Sequence, residues 1–443
     1  MAMEIKDLYQ LYLDCGGRVT TDSRTLKGGE IFFALKGENF DGNQYALKAI
    51  EAGAAWAVVN ADSGVTGEKV IPVADSFETL RDLARWHREH TLVDGERLTV
   101  LGLTGTNGKT TTKELIRSVL ATKYKVTATE GNLNNDIGVP LSLLKIDAST
   151  QLAVIEMGAS HPDDIAHLVD VAEPDFGLIT NVGKAHLLGF GSFEGVKRAK
   201  GQLYDYIAEH GKAIFLNADN PDLSEMAQGR GLATIPYGID TWGAMVLPSD
   251  AAHPYLRMAI PSEEDPDMLL ALETHLVGAY NAANVLAALA VGRHFGVELE
   301  DAMQAVADYV PANSRSQMTR TEKNTLILDA YNANPTSMAA ALDNFATVLE
   351  SEKVALLGDM RELGADSVAE HVNIVRKLGA QRACLVGEEF HKALEITGKP
   401  DTIQWFLTSE DLAAWLKDHP LSGYTVLIKG SHSIQMEKVI SSL

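Results

Sequence analysis

Cysteine is almost missing from this chain of 443 residues: only Cys15 and Cys384 occur, far apart. That excludes a disulfide framework and any paired-cysteine metal site, and it fits a reducing compartment. Long apolar runs are missing too. No stretch approaches the ~18–20 consecutive apolar residues that span a bilayer, and the first residues, with Glu4, Lys6 and Asp7 among Leu8, Leu11 and Leu13, lack the pattern of a secretory leader. A cytoplasmic location is expected. Positive charge is scarce: 38 Lys and Arg against 60 Asp and Glu give a net charge of -22. Such a surface repels a phosphate backbone, so binding to nucleic acid or to an anionic membrane is not expected, and any phosphate ligand must be held locally. Heptads, short repeats and low-complexity tracts are absent, and no Ser-His-Asp or Cys-His arrangement suggests a covalent nucleophile.

What is present is ordinary globular composition, 46% hydrophobic and 22% charged, in a chain long enough for several cores. The pattern divides it into three α/β stretches, 1–82, 83–311 and 312–443. The first alternates short β-rich runs (Glu30 to Leu35, Trp56 to Val59) with glycine turns and one helical segment near Tyr45 to Ala52. A helix over Glu78 to Glu89 leads into the second, where Leu98 to Leu103 reads as a buried strand. Strand-length runs recur at Leu152 to Ile155, Phe176 to Ile179 and Ala213 to Leu216, with helical spacing between them, which predicts a mostly parallel sheet. The proline-bearing stretch Ala244 to Val277 reads as a strand-rich insertion, and helices are expected over Ala282 to Phe295 and Leu299 to Val310. After a linker at Pro311 to Ser314, strands at Thr325 to Leu328, Val354 to Leu357, Ala383 to Val386, Ile403 to Phe406 and Val426 to Ile428 alternate with helices, a Rossmann-like rhythm without the Gly-x-Gly-x-x-Gly of dinucleotide binding.

The strongest local signal is Thr104-Gly-Thr-Asn-Gly-Lys-Thr-Thr111, after the buried strand and before an amphipathic helix carrying Leu115, Ile116, Val119 and Leu120. Gly105 and Gly108 let the backbone of Thr106 and Asn107 turn its N–H groups toward an anion, and the helix N-terminus adds partial positive charge. Lys109 adds a full charge, Thr110 is placed to ligate magnesium, and Thr111 continues the loop. The pattern is a variant, with Leu103 where a strict phosphate loop has glycine. A nucleoside triphosphate is the expected ligand.

Glu156 and His186 each follow a predicted strand, at the edge where open α/β sheets gather ligands, and a carboxylate with an imidazole suits a divalent ion. Taken singly, each reads more readily as a solvated or hydrogen-bonded loop residue than as a metal ligand. Lys200 lies on a predicted helix beside Lys197 and Arg198, where the simple account is a basic surface. The amide-rich loop at Asn132, Asn134 and Asn135 either binds a ligand or makes turns.

Taken in order, the Thr104 to Thr111 loop, Gly131-Asn-Leu-Asn-Asn135, Glu156-Met-Gly158, Asn181-Val-Gly-Lys-Ala-His186 and Ala199-Lys200-Gly resemble the Mur ligases of bacterial cell-wall synthesis. Asp329 to Met338, Leu357 to Gly364 and Lys429 to Glu437 narrow the resemblance to the member that joins D-alanyl-D-alanine to UDP-N-acetylmuramoyl-tripeptide. Thr21 to Arg24 and Ile31 to Gly37 extend it to the N-terminal stretch.

The resemblance implies three domains: a small α/β domain gripping the UDP end of the substrate, a central ATPase of phosphate-loop type, and a C-terminal Rossmann-like domain that closes over it. It implies an ATP-dependent amide ligase acting through an acyl phosphate, with two magnesium ions. Carried over by position, Lys109, Glu156, His186 and Lys200 are catalytic. Thr110, Glu156, His186 and Lys200, the last as a carbamate, serve the metals. ATP is held by Gly105 to Thr111 and by Asn281, Asn284, Arg315 and Asp329. Ser23, Arg24 and Gly37 fall in the UDP pocket, and Asn134, Asn135, Asn332, Asn334 and Ser337 on the tripeptide or dipeptide. Tyr280 stands where the family often has histidine, and His432 where it often has arginine. A monomer is expected, with hinges at Thr79 to Asp94 and Val310 to Ser314. Two other readings stay open: another ligase of the superfamily, of folylpolyglutamate or cyanophycin type, and a nucleotide-gated binding protein.

Overall fold

The computed structural model describes residues 3–248, 253–265, 267–311, 317–330, 332–347 and 352–443. Arg315 and the expected hinge beyond residue 311 lie outside the described residues.

The N-terminal part is built on a four-stranded parallel sheet whose strands are Val19–Thr20, Ile31–Phe33, Trp56–Asn60 and Val70–Val73. Phe32, Ala57 and Val59 face one small core, while Ile31, Phe33 and Val58 face another that continues without a break into the central part. The joining element is the helix Ser76–His90, capped by Asp75, whose carboxylate accepts the amides of Phe77 and Glu78.

The second sheet has six strands, all parallel, with Thr99–Thr104 in its middle. Every residue of that strand after Thr99 is buried, as a near-continuous apolar run requires when both faces of a sheet are covered. One face packs in the core shared with the N-terminal part. The other packs on the helices Lys109–Leu120 and Ala282–His294. The latter helix is apolar all round, because the central sheet, the first of these helices and a three-stranded antiparallel sheet (Met245–Leu247, Arg257–Pro261, Leu269–Glu273) enclose it. That small sheet is the expected insertion.

The C-terminal sheet also has six strands, five of them parallel; the sixth, Gln317–Arg320, pairs antiparallel to Thr325–Asp329 at the edge and was not expected from sequence. The five expected strands are all present, so the α/β class and the parallel central sheet hold.

The first expected hinge does not survive. Most of the stretch from Thr79 to Asp94 is one continuous helix, and the guanidinium of its Arg88, wholly buried, donates to the carbonyls of Ala172 and Glu173 and to Asp175 Oδ2 at 2.9 Å. Helical phasing marked the apolar face but gave no sign that an arginine on it would be tied to the central part.

Candidate active site

The central strand ends at Thr104, and the chain turns through Gly105 and Gly108, both at positive φ, into the helix Lys109–Leu120. A Cβ on Gly105 would fall 1.9 Å from Thr180 Oγ1, and one on Gly108 2.8 Å from Asn284 Oδ1, so neither site admits another residue without rebuilding the loop. The loop is also pinned from outside. Asn181 accepts the Asn107 amide through Oδ1 and donates to the Asn107 carbonyl, each at 3.0 Å, and the Thr180 hydroxyl donates to the same carbonyl at 2.6 Å. The Lys109 ammonium folds back on the loop, donating to the carbonyls of Gly105 at 2.8 Å and Thr106 at 3.1 Å.

Glu156, the last residue of the neighbouring strand, is 1% exposed. Its Oε1 accepts from the Thr110 hydroxyl at 3.2 Å and from the Asn134 amide at 2.8 Å, whereas Oε2 is buried with no hydrogen-bond partner among the described residues. A buried carboxylate oxygen left in that state costs free energy unless a cation completes it. No group of three or more His, Cys, Asp or Glu able to hold an ion occurs among the described residues. One carboxylate, a hydroxyl and an imidazole is the sparse donor set that suits magnesium, which shares its coordination with waters and substrate phosphates. The residues fit such an ion.

His186 borders the same cleft, with burial pushing its imidazole below the ordinary value, helped by the nearby Lys109 and Lys200 charges, while Glu362 opposes. Lys200 does not lie on a solvated basic face: it is 2% exposed within the helix Phe193–His210, its Nζ 5.9 Å from the centre of the Phe190 ring. Burial, reinforced by Lys109, holds its amine far below the usual lysine range. Helical periodicity alone could not show that the Lys200 face turns inward.

One cleft of about 820 Å³ collects these groups. From the central part it takes Thr106 to Lys109, Thr111, Asn134, Asn135, Glu156, His186, Asn281 and Asn284, and from the C-terminal sheet Asp329, Asn332 and Ser337. Gly105, Thr110, Lys200 and Asn334 do not line it, but Gly105, Thr110 and Asn334 hydrogen-bond to residues that do. Ser23, Arg24 and Gly37 do not line it; Arg24 is exposed and paired with Asp22 at 2.7 Å, and Gly37 lies on the short strand pair with Phe40–Asp41.

Three family models cover most of the chain: "Mur ligase family, catalytic domain" over residues 18–88, "Mur ligase middle domain" over 103–292 and "Mur ligase, glutamate ligase domain" over 314–432. The chain belongs to the Mur ligase family. Among its relatives, the UDP-N-acetylmuramoyl-tripeptide--D-alanyl-D-alanine ligases of Bacillus subtilis and Escherichia coli are each 33% identical over 96% of this chain and 92% and 93% of their own. A crystal structure of MurF from Acinetobacter baumannii superposes with a TM-score of 0.85 at 28% identity, covering 98% of this chain and 97% of that one. MurF ligase from Thermotoga maritima in complex with ADP gives 0.82 at 28% identity over 96% of each chain.

Several residues of this Mur ligase site were given no role by the sequence. Lys113, fully buried, donates to the Thr129 carbonyl, and the Thr129 hydroxyl accepts the Glu156 amide at 3.0 Å, so the lysine braces the strand end that carries the carboxylate. Lys429, 1% exposed, pairs with Asp329 Oδ2 at 2.6 Å and donates to the Asn332 carbonyl at 3.0 Å. Asp164, His161, Asn220 and Tyr280 also line the cleft. Position after a strand was a usable signal for Asn181 and Lys429; nothing local marked Lys113.

Proposed function

We propose that this chain joins D-alanyl-D-alanine to UDP-N-acetylmuramoyl-tripeptide, consuming ATP and releasing ADP and phosphate. What carries the reading is its 33% identity, over 96% of its length, to ligases of that name, with a cleft whose chemistry matches. A carboxylate is a poor electrophile, so the terminal carboxylate of the tripeptide first attacks the γ-phosphorus and becomes an acyl phosphate. The loop amides of Gly105 to Thr111 and the Lys109 ammonium, released from its loop carbonyls, neutralise the phosphoryl oxygens during transfer. Thr110, Glu156 and His186 would hold magnesium, which would supply Lewis-acid neutralisation of the phosphates. Burial holds the Lys200 amine far below the usual lysine range, which favours the form that adds carbon dioxide, and as a carbamate it would contribute a further anionic oxygen.

The amine of the dipeptide then attacks the acyl carbon, loses a proton, and expels phosphate as the amide forms. Asn281, Asn284 and Asp329 hold the nucleoside, and Asn134, Asn135, Asn332 and Ser337 orient the two peptides. Ser23, Arg24 and Gly37, remote from the cleft, hold the UDP end. No covalent enzyme intermediate is required; orientation and exclusion of water from the acyl phosphate carry the rate. The test is a mass-resolved assay of the purified protein with ATP, magnesium and both substrates. A muramyl pentapeptide product with one ADP per bond formed is expected; ATP hydrolysis independent of the two peptides would reject the ligase.

A further inference from the structure

His186 and Glu362 are two of the few non-glycine residues at positive φ, 51° and 63°, and they face each other across the boundary between the central and C-terminal sheets. Glu362 Oε2 touches His186 Nδ1 off the line of a hydrogen bond, so that Nδ1 is buried with no hydrogen-bond partner among the described residues, and the Leu188 amide donates to the Glu362 carbonyl at 3.1 Å. Close by, Lys184 pairs with Glu370 at 2.7 Å. Non-glycine residues adopt this backbone region only when their surroundings impose it, and such residues gather at functional sites.

The surroundings of Glu362 are specific. The turn that carries it starts at Asp359, wholly buried, whose carboxylate accepts the amides of Phe390 at 3.0 Å and Glu389 at 3.1 Å, while its carbonyl accepts the Ser431 hydroxyl at 2.6 Å. The next residue, Met360, donates its amide to His371 Nε2 at 3.0 Å, and His371 Nδ1 donates to the Ser367 carbonyl at 2.7 Å, which settles the His371 tautomer. Two buried side chains therefore aim an otherwise exposed glutamate at one imidazole nitrogen.

We propose that Glu362 is a positioning residue that reaches His186 from the C-terminal part when the two parts close. A small turn of the ring lets the Glu362 carboxylate accept the hydrogen of Nδ1, which leaves the Nε2 lone pair free for an ion held with Glu156. A carboxylate behind a ligating histidine fixes its ring and raises its basicity, and losing such a partner typically costs about 10–100-fold in metal affinity or activity. Here the partner comes from the other side of the cleft, so the ion site is complete only in the closed arrangement. Closure and ion binding are then linked, each favouring the other. This inference rests on the ligase reading only for its consequence in turnover.

The test compares the parent with Glu362→Ala and Glu362→Gln. Binding of Mn2+ with ADP present, read by electron paramagnetic resonance, is expected to weaken at least tenfold in E362A and to recover in large part in E362Q, whose amide oxygen can accept from Nδ1 as the carboxylate would. Nitrogen-15 spectra of histidine-labelled protein with ADP and no metal, assigned with H186Q, should place the hydrogen on Nδ1 in the parent and E362Q and shift it toward Nε2 in E362A. The side chain of Glu362 is 58% exposed, so the melting temperature should be kept. Unchanged Mn2+ affinity and an unchanged tautomer in E362A would overturn the proposal. A parent that binds Mn2+ in this way but makes no product would reject the ligase reading and leave the positioning role standing.

Discussion

Asn334 Nδ2 donates to Asn107 Oδ1 at 2.7 Å, across 227 residues of sequence, and so ties the C-terminal sheet to the phosphate loop. The same side chain accepts the Ser337 amide through Oδ1 at 2.9 Å, at the start of the helix Pro335–Thr347. Two substitutions separate these duties. Asn334→Asp keeps the acceptor at the helix start but removes the donor and sets a negative charge beside the triphosphate site. It should melt near the parent temperature while raising KM for ATP and lowering kcat. Asn334→Ala loses both contacts and should also cost about 1 kcal/mol of stability, the usual worth of a helix cap. Kinetics and thermal melting read the two effects apart.

Lys109→Ala tests the phosphate loop. The Lys109 ammonium donates to two carbonyls of its own loop, so its removal leaves those acceptors to solvent and disturbs no core residue. Turnover should fall by about 10²–10³-fold or more, the scale of losing one charge-stabilising group in a transition state. The circular dichroism spectrum and melting temperature should stay at parent values.

Arg88→Ala is expected to damage the fold instead. The guanidinium is wholly buried, and burial lowers its pKa to about 10 even beside Asp175. Removing it leaves Asp175 with only the Val100 amide and a distant Lys212, and strands the carbonyls of Ala172 and Glu173; breaking a buried pair typically costs about 3–5 kcal/mol. Because the helix Ser76–His90 shares its core with both the N-terminal and central sheets, the two should unfold together at a lower denaturant midpoint. Motion of one part against another during catalysis is then expected at the C-terminal boundary, which the Lys184–Glu370, His186–Glu362 and Asn107–Asn334 contacts cross.

His87 makes the same junction sensitive to acid. Its Nδ1 lies 3.1 Å from the Tyr9 hydroxyl and its Nε2 2.8 Å from the Ile146 carbonyl, and burial pushes its pKa below the ordinary value. The unfolded chain therefore takes up a proton that the folded one resists. Stability is full above about pH 6.5, the ordinary histidine value, and falls as the pH drops toward the folded value. Denaturant midpoints measured between pH 7 and 5 should decline in the parent and decline less in His87→Gln, the difference staying within the one-proton limit of about 1.4 kcal/mol per pH unit.

Legibility in the sequence followed distance along the chain. The phosphate loop was readable because strand, turn, lysine and helix are contiguous, and both α/β sheets were readable because buried parallel strands are unbroken apolar runs. Edge strands such as Gln317–Arg320, short and half exposed, carry no such signature. Residues whose role is set by a distant partner were missed. Lys429 reads as a strand-end lysine until Asp329 appears beside it from 100 residues away, and Glu362 reads as one charge among 60 until His186 is placed against it. Lys200 fell between the two cases: its position matched a family pattern, but the burial that lowers the pKa of its amine depends on Phe190 and the packing around it.

Glu156 sets stability against function, because its buried Oε2 has no hydrogen-bond partner among the described residues and a negative charge there is costly without a cation. Glu156→Gln keeps an oxygen to accept from Thr110 and Asn134 while removing the charge. Without metal the variant should melt no lower than the parent, since nothing favourable in the ion-free site needs the charge. With magnesium and ADP the parent should gain stability by mass action, and the variant should gain much less at the same concentrations. Turnover of the variant should fall by about 10²-fold or more and recover only partly at high magnesium. Thermal shift with and without the ion, alongside the product assay, measures all three. If E156Q were stabilised by magnesium as strongly as the parent, Glu156 would not be the carboxylate that holds the ion.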